Sequence, residues 1–170
     1  MVTDDQLAEL AARVARWALN AKYRIVTAES CTGGWIAKVF TDAPGSSRWF
    51  ESGYVTYSNY AKVRDLGVST RTLEEHGAVS EATVREMAIG ALRVSGATIS
   101  VAVSGIAGPD GGSDEKPVGT VWFCAARRVP GGADFELLLE GQLFGGNRDD
   151  IRRASVARAL ELMLRFEQPS

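Results

Sequence analysis

Residues 24–40, RIVTAESCTGGWIAKVF, place two apolar segments on either side of a polar turn that contains two glycines. The first segment, RIVTA at 24–28, is short and β-branched, which predicts a buried strand. The second is amphipathic and directly follows Gly33 and Gly34, which predicts a helix. A strand that passes straight into a helix is a unit of α/β domains. The stretch therefore predicts an α/β fold with TAESCTGG, residues 27–34, at the edge of a sheet.

Further helices and strands follow from apolar periodicity and from the glycines that interrupt it. We expect helices over residues 4–20, 33–42, 59–67, 69–76, 80–96 and 147–166. We expect the remaining strands over residues 48–58, 97–108, 118–127 and 134–144, the last two joined as a hairpin. This order predicts a single α/β domain over residues 1–170, with helices on both faces of a mixed sheet of about five strands.

The composition excludes several classes of protein. Hydrophobic residues make up 45% and charged residues 24% of the 170, as in ordinary globular domains, and the net charge is -2. The sequence has neither the basic excess of a nucleic-acid-binding protein nor an apolar run of the ~18 residues that span a membrane. The N-terminus does not resemble a signal peptide, and two distant cysteines with one histidine form neither a disulfide framework nor a zinc pattern. We expect a cytoplasmic protein without a metal or another cofactor.

Four polar segments follow predicted strands or open the last helix, which is where α/β sheets form their sites. They are TAESCTGG (27–34), TYSNYAK (56–62), SGIAGPDGG (104–112) and GGNRDD (145–150). Each segment by itself also has an ordinary structural explanation, such as a helix cap or a surface loop. Their occurrence together on one small domain favours a shared site at the ends of the strands.

The turn TAESCTGG carries three possible nucleophiles, Ser30, Cys31 and Thr32. Gly33 and Gly34 allow a ligand to approach the backbone, and the free N–H groups of the next helix favour an anion. The alternative is that Ser30 or Thr32 simply caps that helix.

A serine nucleophile needs a base, and the single histidine, His76, is expected to lie at the end of a predicted helix instead. Lys62 is the candidate base, because burial can lower the pKa of an amine until it is neutral. Tyr57 could orient that amine or relay a proton, although an ordinary surface lysine is the alternative. The thiol of Cys31 is a rival nucleophile, and Cys124 is expected to be an inert core residue.

The other two segments suggest contacts with a ligand. Ser104, Gly105 and Gly108 follow a buried strand, where glycines suggest a backbone that lies against a ligand, with a plain loop as the alternative. Arg148 stands at the start of the last helix, where it suits a phosphate, with a surface arginine beside a capping box as the alternative. The segment SDEK (113–116) has the spacing of a Ser-x-x-Lys motif, but a charged loop is a poor place for a buried base.

Taken together, TAESCTGG, VTYSNYAK (55–62), HGAVS (76–80) and SGIAGPDGGSDEKPVGTVW (104–122) resemble the CinA C-terminal domain family. The resemblance covers essentially the whole chain. It implies a three-layer α/β/α sandwich, no metal and no cofactor, and homo-oligomers that are commonly dimers. It also implies a reaction, the hydrolysis of the amide of nicotinamide mononucleotide to nicotinic acid mononucleotide and ammonia.

The resemblance further implies roles for individual residues. Ser30 would be the nucleophile, Lys62 the base and Tyr57 its assistant. Gly33 and Gly34 would supply backbone N–H groups to the oxyanion that forms on the substrate.

Contacts with the substrate are expected at a second set of residues. The set comprises Glu29, Thr32, Ser104, Gly105, Gly108 and Arg148. Arg148 would bind the 5′-phosphate, an expectation that depends more on its position at a helix start than on the family. Glu29 or Asp110 would face the positive pyridinium ring.

Two other functions are compatible with the sequence. The first is a non-catalytic, nucleotide-binding or regulatory module of the competence/damage-inducible type, in which Ser30 only caps a helix. The second is an amidase for another pyridine or pterin nucleotide, since no residue plainly identifies the base. Release of ammonia from the mononucleotide distinguishes catalysis from binding.

Overall fold

Five strands form one mixed sheet in the computed structural model, which describes residues 1–167. The strands are β1 (Ile25–Glu29), β2 (Phe50–Val55), β3 (Ile99–Gly105), β4 (Thr120–Arg128) and β5 (Phe135–Leu143). They lie in the order β2-β1-β3-β4-β5, with β1 parallel to β2 and β3, and β4 antiparallel to β3 and β5. The mixed sheet and its β4–β5 hairpin confirm the sequence-based prediction.

Helices cover both faces of this sheet. They are α1 (Asp4–Ala21), α2 (Trp35–Thr41), α3 (Asn59–Leu66), α4 (Thr70–His76), α5 (Glu81–Ser95) and α6 (Arg148–Leu164). Apolar side chains of α1, α2 and α6 pack on one face, and those of α5 pack on the other. This arrangement is the predicted three-layer α/β/α sandwich. Of the helices within residues 1–167, none is both long enough and apolar enough to cross a membrane.

Side-chain caps explain why several helices begin where the sequence predicted. Thr3 forms a capping box with Gln6 at the start of α1. Ser80 accepts a hydrogen bond from the Thr83 N–H at the start of α5. Asn147 accepts hydrogen bonds from two N–H groups in the first turn of α6. Each cap satisfies N–H groups that have no partner within the helix.

β2 is shorter than the sequence predicted. Residues 48–58 are rich in aromatic and β-branched side chains, but the strand spans Phe50–Val55. Before it, Ser46–Arg48 form a 3-10 turn and Trp49 is buried in the core. After it, Ser58 caps α3 with its hydroxyl, so the local cap prevails over strand propensity. The early end of β2 brings α3 back over the end of the sheet.

The carboxyl ends of the parallel strands bring the polar segments together. β1, β2 and β3 run in the same direction and end at Glu29, Val55 and Gly105. Pairing continues just beyond β1, where the Ser30 N–H donates to the Val103 carbonyl oxygen at 3.0 Å. β5 runs in the same direction and leads into α6. All four polar segments predicted from the sequence therefore meet at this edge.

α3 can lie directly against α5 because α5 has a glycine at the contact. Gly90 is buried in α5, and a Cβ atom added there would lie 2.0 Å from the Leu66 carbonyl oxygen. Leu66 is the last residue of α3. The close approach therefore fixes the position of α3 against α5, beside the edge of the sheet.

We expect Gly90→Ala to destabilise the protein by about 1–3 kcal/mol, because overlap with Leu66 outweighs the gain of about 1 kcal/mol in helix propensity. The measurement is the free energy of unfolding from urea denaturation. Val94→Ala, at a site on the same helix that is 54% exposed, is the control and should change that free energy by less than about 0.5 kcal/mol. An unchanged or higher stability of Gly90→Ala would contradict the close packing.

Candidate active site

A serine and a lysine are in contact where β1 ends. Ser30 is the first residue after β1, and its hydroxyl oxygen lies 3.0 Å from the Lys62 amine nitrogen. The amine also donates to the carbonyl oxygens of Thr56 at 2.7 Å and of Tyr57 at 3.3 Å. Lys62 is 1% exposed and Ser30 is 8% exposed, so the amine is shielded from water while the serine keeps a small opening.

The surroundings of the Lys62 amine favour its neutral form. Burial lowers the pKa of Lys62 from 10.5 to about 8. A neutral amine has two N–H donors and one lone pair, and the carbonyl oxygens of Thr56 and Tyr57 can accept from both donors. The lone pair is then directed to the hydroxyl proton of Ser30. This pair can remove a proton from serine without a histidine.

The two cysteines do not have the surroundings of a reactive thiol. Burial raises the pKa of the Cys31 thiol to about 12. Cys124 is fully buried in β4, and burial raises the pKa of its thiol to about 12 as well. Because the thiolate is the nucleophilic form of cysteine, this environment favours Ser30 over Cys31 as the nucleophile.

His76 and the SDEK segment contact each other. His76 is the last residue of α4, and its carbonyl oxygen accepts a hydrogen bond from the Lys116 amine at 2.7 Å. Lys116 thus has a structural partner, and the lysine that contacts Ser30 is Lys62.

The side chains of Glu29 and Thr32 are hydrogen-bonded to each other, and their predicted contacts with a substrate stay predictions. Both are fully buried. The Glu29 carboxylate accepts hydrogen bonds from the Thr32 hydroxyl at 2.7 Å and from the N–H groups of Ile36 and Ala37 at 3.0 and 2.9 Å. Glu29 therefore caps the beginning of α2, where a carboxylate complements unpaired N–H groups. Asp110, which is exposed, is the other residue predicted to face the pyridinium ring.

The two glycines of the turn have different hydrogen-bonding roles. Gly33 has a φ of +62° and Gly34 a φ of +92°, values that residues with side chains rarely adopt. The Gly33 N–H donates to the Ser30 carbonyl oxygen at 3.0 Å. This N–H is already used within the turn, which disfavours the predicted oxyanion contact from Gly33, and that contact stays a prediction. Within residues 1–167, the Gly34 N–H has no acceptor and keeps its predicted role as a proposal.

Tyr57 and Arg148 are joined by their side chains. The Arg148 guanidinium donates to the Tyr57 hydroxyl at 3.1 Å and to the Gly108 carbonyl oxygen at 2.7 Å. Arg148 therefore links three of the four polar segments. The sequence-based prediction gave the Tyr57 hydroxyl to Lys62, but the group that contacts the amine is the Tyr57 carbonyl. The Tyr57 side chain is 62% exposed, and its hydroxyl accepts from Arg148.

Ser104 is a neighbour of Ser30 in the sheet. The parallel register pairs Glu29 with Val103, so the next positions along the two chains are Ser30 and Ser104. Ser104 is 1% exposed. The register thus places Ser104 next to Ser30, while its predicted contact with a substrate stays a prediction.

Gly105 and Gly108 are required by packing within the protein. A Cβ atom added to Gly105 would lie 2.6 Å from the Val121 side chain, and one added to Gly108 would lie 2.5 Å from the Val118 side chain. Gly108 also has a φ of +73°. These contacts account for both glycines without a ligand, so their part in binding stays a prediction.

Arg152 contacts the turn that follows the candidate nucleophile (residues 30–34, called the nucleophile turn below) and was not predicted from the sequence. Its guanidinium donates to the carbonyl oxygens of Cys31 and Thr32, both at 3.0 Å, and lies over the Trp35 ring at 5.3 Å. One signal was available, because Arg152 is one helical turn after Arg148 and residues four apart share a helix face.

A groove of about 580 Å³ lies elsewhere, between α1, α2 and α6. Its lining includes Trp35, Lys38 and Arg153, and none of the residues predicted to bind or transform a substrate. Within residues 1–167, no group of three or more His, Cys, Asp or Glu side chains is arranged to hold a metal ion. The reactive groups are those at the edge of the sheet.

Comparison with known proteins agrees with this fold and this arrangement of motifs. The family model of the CinA C-terminal domain matches residues 7–166. Nicotinamide-nucleotide amidohydrolase PncC from Escherichia coli K12 is 53% identical over 163 residues, which cover 95% of each chain. A CinA-like protein from Desulfosudis oleivorans is 60% identical over 112 residues, which cover 66% of this chain and 27% of that protein. The crystal structure of the competence/damage inducible protein CihA from Agrobacterium tumefaciens matches with a TM-score of 0.91 and 44% identity over 96% of each chain. The chain belongs to the CinA C-terminal domain family.

Proposed function

We propose that this protein hydrolyses the carboxamide of nicotinamide mononucleotide to nicotinic acid mononucleotide and ammonia, with Ser30 as nucleophile and Lys62 as base. The 3.0 Å contact between the Ser30 hydroxyl and the buried Lys62 amine carries the proposal. The name of the Escherichia coli relative, nicotinamide-nucleotide amidohydrolase, supports the substrate class. The lowered pKa of Lys62, about 8, supports its part as a base near neutral pH.

The proposed reaction has two halves. Ser30 attacks the carboxamide carbon while its proton moves to Lys62, and the carbonyl oxygen becomes an oxyanion. The charged Lys62 then returns the proton to the nitrogen as the C–N bond breaks and ammonia leaves. In the second half, Lys62 takes a proton from water as the oxygen attacks the nicotinoyl ester. The ester bond to Ser30 breaks, and the serine recovers its proton.

The charges of the substrate suggest where its other parts lie. The positive pyridinium ring favours a neutral Lys62, because a charged ammonium would repel it. We assign the partner of this ring to Asp110, which is exposed in the loop after β3. We assign the 5′-phosphate to Arg148, which would exchange the Tyr57 hydroxyl for phosphate oxygens. The Gly108 carbonyl contact would keep Arg148 in place.

A non-catalytic, nucleotide-binding module is the second candidate. The observation that favours it is the likeness to CihA from Agrobacterium tumefaciens, which is named a competence/damage inducible protein rather than an enzyme. In that case Ser30 has only a structural role in the turn. A nucleotide then raises the melting temperature of the protein without release of ammonia.

We also propose that the protein is a cytoplasmic homodimer. The edge strand β5 carries Leu143, which is 65% exposed. Apolar side chains on an edge strand offer a surface for a second copy.

Light scattering in solution should give twice the mass of one chain, and the mass of a single chain would contradict the dimer. Cell fractionation tests the location.

We expect Ser30→Ala to lower the rate of ammonia release from nicotinamide mononucleotide by at least about a thousandfold, because no covalent intermediate can form. Cys31→Ala is the matched control, since it alters the adjacent residue and should keep most of the activity. Thermal unfolding of both variants checks that the fold is intact. Loss of turnover in Cys31→Ala but not in Ser30→Ala would assign the nucleophile to the thiol.

We expect kcat/KM for the mononucleotide to rise with pH through about 8, because Lys62 must be neutral to accept the proton and burial lowers its pKa to that value. Below this point the rate should fall about tenfold per pH unit. Initial rates between pH 6 and pH 9 test this. Lys62→Met should remove most of the activity at every pH. A rate that is flat or falls across this range would exclude Lys62 as the base.

A further inference from the structure

The nucleophile turn contains a backbone N–H group, that of Thr32, which none of the roles assigned above uses. The reaction needs such a donor for its oxyanion. Thr32 is the second residue after Ser30, and the N–H at that position commonly faces the hydroxyl of a serine turn. In this protein the Ser30 hydroxyl contacts Lys62 instead. Within residues 1–167, the Thr32 N–H has no hydrogen-bond acceptor. This free N–H belongs to the same turn as the Ser30 oxygen, to which the carbon of the oxyanion would be bonded.

Arg152 holds the opposite side of the same peptide bond. A planar, trans peptide directs its C=O and N–H groups in opposite directions. The carbonyl that shares a peptide with the Thr32 N–H is that of Cys31, and it accepts a hydrogen bond from Arg152 Nε at 3.0 Å. The Thr32 carbonyl accepts from a second nitrogen of the guanidinium, also at 3.0 Å. One side chain therefore fixes two successive peptide groups of the turn.

We infer that the Thr32 N–H is an oxyanion donor in addition to the Gly34 N–H, and that Arg152 is a positioning residue that acts on it through the Cys31–Thr32 peptide. The guanidinium fixes the orientation of this peptide and withdraws charge from its oxygen, which strengthens its N–H as a donor. The effect is largest in the transition state, because the carboxamide oxygen gains its charge there. The inference deepens the proposed function and rests on Ser30 as the nucleophile.

Arg153 provides a matched control for Arg152. Both guanidinium groups lie over the ring of Trp35, at 5.3 Å for Arg152 and 4.9 Å for Arg153. Arg153 forms its ion pairs with Asp4 and Asp149, whereas Arg152 binds the turn. Arg153→Gln therefore removes a neighbouring charge and a contact with Trp35, and leaves the hydrogen bonds to the turn in place.

The test uses pyridine-3-boronic acid, whose boron can bond to the Ser30 oxygen as the serine proton moves to Lys62. The product is a tetrahedral, anionic boronate that resembles the charged intermediate. Boron NMR reports its formation, and calorimetry reports its affinity for wild type, Ser30→Ala, Arg152→Gln, Arg152→Lys and Arg153→Gln. Nicotinamide mononucleotide, bound by the inactive Ser30→Ala protein with and without Arg152→Gln, serves as the ground-state ligand, and thermal unfolding checks each fold.

We expect Arg152→Gln to weaken boronate binding roughly tenfold to a hundredfold, less than loss of the donor itself. In the inactive Ser30→Ala protein, Arg152→Gln should change the affinity for nicotinamide mononucleotide by less than about twofold, because the carboxamide oxygen of that ligand carries no full charge. Arg152→Lys should recover part of the loss, and Arg153→Gln should match wild type. In steady-state assays Arg152→Gln should lower kcat and leave KM almost unchanged.

Several results would overturn the inference. One is unchanged boronate affinity in Arg152→Gln, and another is an equal loss of affinity for both ligands, which would indicate a structural role. The same loss in Arg153→Gln, or no Ser30-dependent tetrahedral adduct in wild type, would also overturn it. Failure of the proposed function is a separate result. In that case wild type forms the boronate adduct at Ser30 but releases no ammonia from nicotinamide mononucleotide.

Discussion

The burial of the Lys62 amine is the constraint on which the rest of the site depends. An ammonium withdrawn from water loses hydration, and burial lowers its pKa from 10.5 to about 8. Because the folded-state pKa is below the unfolded-state value, the folded protein binds fewer protons between these two pH values, and its stability rises with pH there. Below about pH 8 the folded protein therefore carries a penalty of roughly 3 kcal/mol from this group. The same penalty makes the amine a base near neutral pH.

The sheet supplies the geometry that this amine requires. Because β1 and β2 are parallel neighbours, the residues that follow them lie side by side, and the Thr56 N–H donates to the Glu29 carbonyl oxygen at 2.9 Å. β2 ends early, so the Thr56 and Tyr57 carbonyl oxygens turn towards α3 and accept from Lys62. Close packing of α3 on α5 then keeps the lysine shielded from water.

Opposite charges hold the nucleophile turn from two sides. The buried Glu29 carboxylate accepts from N–H groups at the start of α2, and the Arg152 guanidinium donates to carbonyl oxygens within the turn. The negative carboxylate therefore contacts the positive N–H ends of peptide dipoles, and the positive guanidinium contacts the negative carbonyl ends. The Gly33 N–H closes the turn on the Ser30 carbonyl oxygen, at a φ that favours glycine. The turn is thus held in place before any substrate binds.

The sequence by itself determined the order of strands and helices and the four polar segments, because periodicity, caps and glycine breaks are local properties of the chain. It also predicted that Ser30 and Lys62 form a pair, since a serine without a nearby histidine needs another base, and the two side chains are in contact. The tertiary structure decided which way each group of the turn faces. In the folded protein the Glu29 carboxylate accepts from the first turn of α2, and the Gly33 N–H donates within the turn. Arg152, which is 120 residues after Thr32, donates to the Thr32 carbonyl oxygen. These contacts depend on how distant segments pack and on which hydrogen bonds are already made, and no local pattern of residues specifies either.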